Sequence, residues 1–320
     1  MVIDFHHHFT PLDLVTREGF KPGEQRVLMQ GGVPKFTIHE RLYNMDMQLK
    51  DMEIAGVDLS VLTCNLGWDA PVADCRLIND KALEFQLANP KHFVGLAHGP
   101  VLEKAGLEEM ARAVSQGLRG VTISSQVNGL PLDAKDLWPL YKMACDLDAV
   151  VFVHPVMVVQ GYAFMKEYDL GRILGRELDL QAAVGRVIAG RVMEEFPALK
   201  IVFSHFGGGI AATKERLQAK QGRFGTLKGT FDESFDRIFF DLSGFEGGPI
   251  ALQAAIAGIR HDRLVFATDY PQDFTGATTQ SGKGVPDIRK YIELVRGSGL
   301  RQDEVDAILG GTAASLLKLR

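Results

Sequence analysis

Eight short runs of apolar, β-prone residues recur along the chain, and helical stretches separate most of them. The runs are VIDF (2–5), LSVLTC (59–64), FVGLAH (93–98), GVTISS (120–125), VVFVH (150–154), KIVFSH (200–205), IFFDLS (238–243) and LVFATD (264–269). Continuous apolar runs of this length suit parallel strands buried on both faces. Parallel strands need crossovers, and the intervening segments carry helical periodicity. HERLYNMDMQLKDMEIAG places Leu42, Met45, Leu49 and Met52 at three- and four-residue spacing, with Gly56 as the stop. ADCRLINDKALEFQLANP repeats the pattern with Leu77, Ala82 and Phe85 and closes on Pro90. DAKDLWPLYKMACDLD predicts a helix capped by Asp133 or Asp136. LQAAVGRVIAGRVMEEFP precedes the sixth run. Eight such units in 320 residues predict a single α/β domain over 1–320, a (β/α)8 TIM barrel. An open doubly wound sheet is the competing arrangement. Residues 9–36 and 156–180 exceed ordinary loops and are expected as small insertions capping the active site.

The ends of these runs carry the chemistry. IDFHHHFTP opens the chain with three of its nine histidines. A purification tag is longer and precedes the native start, whereas Met1, Val2 and Ile3 come first here. Alternate side chains share a strand face, so His6 and His8 point one way and His7 the other. Such a pair can hold one metal ion. His154 ends the fifth run, His205 the sixth and Asp269 the eighth. In a parallel barrel all these C-terminal ends meet on one face. Five metal-capable or proton-transfer residues at four strand ends predict a metal site there. His98 ends the third run and reads as a structural or supporting residue.

Net charge is −5, and no basic stripe marks a nucleic-acid surface. No apolar run reaches membrane-spanning length, and the N-terminus lacks the pattern of a secretory signal. Cys64, Cys75 and Cys145 form no CxxC pair and read as reduced thiols, so a cytoplasmic location is expected. GGGIAA (207–212) matches a weak dinucleotide fingerprint but has no companion acid at the expected distance. Its glycines read instead as permitting close backbone approach near His205.

The motifs IDFHHH, VFVHP, SHFGGG and ATDYP, with RLYNMD, CRLIND and VNGLPLDAKDLWPLYKMA, resemble the amidohydrolase superfamily. The resemblance spans nearly the whole chain. Within the superfamily it points to the branch of aminocarboxymuconate-semialdehyde decarboxylase and γ-resorcylate decarboxylase. It implies one divalent metal, zinc first and manganese second, held by His6, His8, His154 and Asp269. It implies catalytic roles for His205 and Asp269 and a substrate-carboxylate role for Arg41. Where binuclear relatives place a carbamylated lysine at the fourth strand end, this chain has Ser124 and Ser125, which favours one metal. Some decarboxylase relatives carry Glu in place of the first histidine, and this chain keeps His6. The implied function is non-oxidative decarboxylation of a small aromatic or dienoic carboxylic acid. A hydrolase of an ester, lactone or amide, or a hydratase, is the alternative on the same scaffold. The expected partners are that small acid and further copies of the chain, as a dimer or tetramer.

Overall fold

The computed structural model describes residues 1–161, 163–272, 274 and 282–319. Eight parallel strands form its centre: β1 (Ile3–Phe9), β2 (Leu59–Cys64), β3 (Phe93–Gly95), β4 (Gly120–Ser124), β5 (Val150–His154), β6 (Lys200–Phe203), β7 (Phe239–Asp241) and β8 (Leu264–Val265). Parallel ladders join β1 to β2 and β2 to β3, and run continuously from β4 to β8. Two single bridges close the remaining gaps, Ala97 to Val121 and His7 to Tyr270. The second closure is reinforced by Phe5 N–H donating to Phe266 O at 3.0 Å and His8 N–H to Tyr270 O at 2.7 Å. The sheet is therefore a closed TIM barrel and not an open doubly wound sheet.

Most strands are shorter than the apolar runs that predict them, as β3 (Phe93–Gly95) and β7 (Phe239–Asp241) are, and three departures bear on the site. β1 continues through the three histidines to Phe9 because strands on both sides pair with it. β6 stops at Phe203, and His205 sits beyond it in the left-handed region at φ 53°. β8 stops at Val265, because a side chain takes over the ladder: Thr268 N–H donates to Asp4 Oδ1 at 2.9 Å. Asp269 follows at φ 56°. Both residues thus stand on turns past their strands.

A bulge in β1 between Asp4 and His7 decides which residues look inward. Ile3 and Phe5 pack inside the barrel with Leu59, Val61, Val150 and Phe152. A strict two-residue alternation would then turn His6 outward. The extra residue resets the phase, so the His6 ring meets Phe152 at 5.0 Å between centroids. His7 faces out, stacked on Tyr270 at 4.4 Å and held by Asp4 and Gln48. Leu316 and Leu317 plug the far end of the barrel.

The expected helices surround the strands. Met45–Ala55 ends at Gly56, whose φ of 77° suits a left-handed cap. The expected Asp133 or Asp136 cap is not formed. The helix Trp138–Asp146 is entered through a 3₁₀ turn, Lys135–Leu137, and Pro139 removes a donor that a cap would serve. Asp133 binds Arg186 instead, at 2.6 and 3.0 Å. The first insertion folds as a helix, Leu12–Arg17, and an antiparallel hairpin, Arg26–Gln30 with Val33–Ile38. The second leads through a π-helical turn, Gly171–Gly175, into the helix Arg176–Ala189. Both insertions overhang the C-terminal mouth. No helix among the described residues is long and apolar enough to cross a membrane.

Candidate metal centre

At that mouth one ligand atom each from His6, His8, His154 and Asp269 lies within 4.8 Å of the others. His6 Nε2 and His8 Nε2 are 3.0 Å apart, and Asp269 Oδ1 is 2.7 Å from His8 Nε2. The first three side chains are buried.

The outer contacts fit the tautomers that carry the proton on Nδ1. His6 Nδ1–H donates to Asp241 Oδ2 at 3.1 Å and has Ser243 Oγ at 2.9 Å. His8 Nδ1–H donates to Thr63 Oγ1 at 2.9 Å, and His154 Nδ1–H to Pro155 O at 2.7 Å. Each neutral ring then offers its Nε2 lone pair to one point. Two facing lone pairs 3.0 Å apart repel each other, and a cation between them turns the repulsion into attraction. Burial pushes His8 down to about 4 and His154 well below its ordinary range, so both stay neutral. Burial would raise Asp269, but His6, His205 and His8 hold it well below the usual carboxylate range. Neutral imidazoles at His8 and His154 and an ionised carboxylate at Asp269 are protonation states a divalent ion requires. The fit to one divalent metal is complete in kind and number. Ser124 and Ser125 take no part, since their hydroxyls donate to Gln126 O and to Asp179 Oδ2.

His205 stands at the edge of the cluster. Its Nδ1 meets Glu177 Oε1 at 2.8 Å, and its backbone N–H donates to Asp241 Oδ1 at 2.8 Å. Its Nε2 is buried without a hydrogen-bond partner and lies 3.7 Å from Asp269 Oδ2. Burial would lower this imidazole, but Glu177 and Asp269 together raise it well above its ordinary value. Gly244 makes room for the ring, since a Cβ there would sit 2.2 Å from His205 Cγ.

Sequence reasoning missed several residues here. Asp241 braces both His6 and His205, and it is the acid at the end of β7. Strand-end position was the signal for it. Trp68 stacks on His154 at 3.9 Å and donates its Nε1–H to Thr122 Oγ1. Arg176 and Glu177 fall in the second expected insertion, 156–180, and gave no local signal there; the structure places them in the first turn of the helix Arg176–Ala189. His98 is structural, accepting Cys64 N–H on Nε2 at 3.0 Å.

A cavity of about 240 Å³ lies over the cluster, lined by His8, His154, His205 and Asp269 and by Lys35, Arg172 and Arg176. Arg41 is not among its lining residues. Arg41 Nε donates to Asp51 Oδ2 at 2.7 Å, and the same oxygen accepts Tyr270 O–H at 2.7 Å. The expected carboxylate arginine is thus a brace for the segment that carries Asp269. Arg176 differs. Its Nη2 donates to the carbonyls of Lys35 and Met157, and its Nε is buried with no partner.

The amidohydrolase family model matches residues 3–319. The chain belongs to the amidohydrolase family. This amidohydrolase is 26% identical over 294 residues to 2-amino-3-carboxymuconate-6-semialdehyde decarboxylase of Dictyostelium discoideum, covering 88% of the chain and 79% of the relative. It superposes on 5-carboxyvanillate decarboxylase LigW from Sphingomonas paucimobilis with a TM-score of 0.83 and 22% identity, over 100% of this chain and 99% of that one. Dihydroxybenzoic acid decarboxylase from Polaromonas sp. JS666, solved with bound manganese and the inhibitor 2-nitroresorcinol, gives a TM-score of 0.75 at 22% identity, over 99% and 97%.

Proposed function

We propose that this amidohydrolase is a metal-dependent, non-oxidative decarboxylase of a small aromatic or dienoic carboxylic acid. The carrying observation is the meeting of three Nε2 lone pairs and the Asp269 carboxylate below a cavity also lined by Arg176, whose Nη2 is held by two carbonyls and whose Nε has no partner. The decarboxylase relative supports the choice of reaction.

His6, His8, His154 and Asp269 hold one divalent ion. Zinc suits the three imidazoles, and manganese is the second choice for a set that includes a carboxylate. When bound, the ion supplies Lewis acidity toward the substrate's oxygen atoms. Arg176 takes the acidic group of the substrate, as a fork of donors with no acid of its own. Loss of CO₂ breaks a carbon–carbon bond and leaves the electron pair on the ring or diene carbon. A proton must replace the lost group. His205 holds that proton on Nε2, facing Asp269, while Glu177 keeps the other ring nitrogen engaged. Asp269, ionised at rest, relays it. Trp68 and the overhanging insertions limit access of water.

The reading carries two further assignments. Cys64, Cys75 and Cys145 are free thiols, in keeping with a reducing cytoplasm. Phe164 and Tyr168 expose apolar rings on the second insertion, in keeping with assembly as a dimer or tetramer. The function is tested by incubating the metal-loaded protein with a panel of aromatic and dienoic acids and following CO₂. Release that stops on chelation and returns with metal supports the reading. A panel that yields hydrolysis products and no CO₂ refutes it.

A further inference from the structure

A second cavity, of about 420 Å³, adjoins the one over the metal centre. Met157, Asp169 and Arg172 line both. A third cavity, beyond Trp68, shares no lining residue with the centre among those described. Among the described residues, the centre's cavity and this second one thus share a threshold of Met157, Asp169 and Arg172.

The two joined spaces differ in chemistry. The inner one is walled by ionisable groups. The outer one is walled by Val33 and Pro34 of the first insertion's hairpin and by Val159 and Met165 of the second insertion, with Gln160 and Lys166 as polar members of the wall. The charges at the threshold cancel each other, since Arg172 Nε donates to both Asp169 oxygens at 2.8 and 2.9 Å. Away from that threshold, Lys166 is the ionisable side chain lining the outer space among the described residues. Met157, buried at the same threshold, has a flexible thioether that adapts to apolar shapes. An acid seated at the centre would thus find polar partners at its head and an apolar chamber behind. The chamber lies within the size range of small-molecule sites, which starts at about 300 Å³.

We propose that this apolar annex is a substrate subsite, and that the acid this enzyme takes carries an apolar substituent, an alkyl chain or a second ring, seated in it. The inference rests on the carboxylic-acid reading of the centre and adds the part of the substrate that does not react. Each methylene buried there is worth about fourfold in affinity.

The test is calorimetric or NMR titration of the full-length, metal-loaded protein with benzoate, 3-butylbenzoate and 4-butylbenzoate. Two variants, Val159→Phe and Val33→Trp, fill the annex from opposite insertions without touching the metal cluster. Val33 is partly exposed, so its exchange tests the annex even where Val159→Phe fails to fold. At least one butyl acid is expected to bind tenfold or more tighter than benzoate. That gain should vanish in the filled variants while benzoate affinity holds. Equal affinity for all three acids in the parent overturns the annex and leaves the carboxylic-acid reading standing. A butyl gain that persists in the folded variants overturns it too. So does an absent gain with Val33→Trp shifting a sedimenting dimer to monomer, since the face is then a contact between copies. Binding of none of the acids removes the carboxylic-acid reading, and the annex falls with it.

Discussion

At the scale of single residues, the cluster is held by what lies behind it. Asp241, Thr63 and the Pro155 carbonyl each take one Nδ1–H, which leaves three lone pairs facing one another. Without a cation that arrangement costs free energy, so the metal and the tautomers support each other. His8→Ala or His154→Ala should lose the ion, by elemental analysis of the dialysed protein, with the circular dichroism of the parent retained. Full metal occupancy in both variants would remove the ligand assignment. Arginine roles separate in the same way. Arg41 braces Asp51 and Tyr270 and keeps 34% of its side chain exposed. Arg41→Lys should therefore leave KM within about twofold and cost up to about 1 kcal/mol of stability. Arg176→Lys, which loses the planar fork inside the cavity, should raise KM by at least about tenfold with metal content unchanged. Steady-state kinetics on the acid that releases CO₂ decides between them, and the reverse pattern would return the substrate role to Arg41.

At the scale of elements, the centre is assembled where regular structure gives out. β1 supplies two ligands only because its bulge resets the inward phase, and His205 and Asp269 stand on left-handed turns past β6 and β8. The alternation of His6 with His8 was legible in the sequence, since a strand has a period of two. So was the strand-end position of His154. The turns were not, because a local apolar run says where a strand can form but not which side chain will cut its ladder short. Glu177 was illegible for a related reason. It reaches His205 because a helix passes close to the glycine turn after β6. Gly208, at φ 67°, would place a Cβ only 1.9 Å from Glu177 O. Gly208→Ala must open that contact and strain the turn, and should cost at least about 2 kcal/mol. The melting temperature measures this, and a variant that melts with the parent would show that the contact does not set the Glu177–His205 distance.

At the scale of the whole molecule, the eightfold alternation of strands and helices was readable along the chain, whereas the choice between a closed barrel and an open sheet was decided by the bridges Ala97–Val121 and His7–Tyr270. The pairing of Arg41 with Asp51 was not, because it depends on which helix face meets the segment after β8. The same packing makes stability depend on acid. Burial lowers His39 to about 4 and His98 to about 3, while both titrate near 6.5 in the unfolded chain. Below that value the unfolded state binds more protons than the folded one, so stability is full above pH of about 6.5 and falls as pH drops toward 4. The melting temperature of the metal-free protein should decline from pH 7.5 to 5, and less steeply in His39→Asn. A flat profile in the parent would contradict the burial of neutral imidazoles.

The central claim is that the centre replaces a carboxylate on carbon by a proton. Decarboxylation in D₂O must leave deuterium on the carbon that CO₂ vacates, because the electron pair left there takes its proton from groups that exchange with solvent, His205 and Asp269 among them. Hydrolysis would instead place solvent oxygen in a new carboxylate. The deciding measurement is mass spectrometry of the product formed by the metal-loaded protein in D₂O and, in parallel, in ¹⁸O-labelled water. One carbon-bound deuterium per CO₂ released is the predicted result. Labelled oxygen in a new carboxylate, with no CO₂ and no carbon-bound deuterium, would contradict the account.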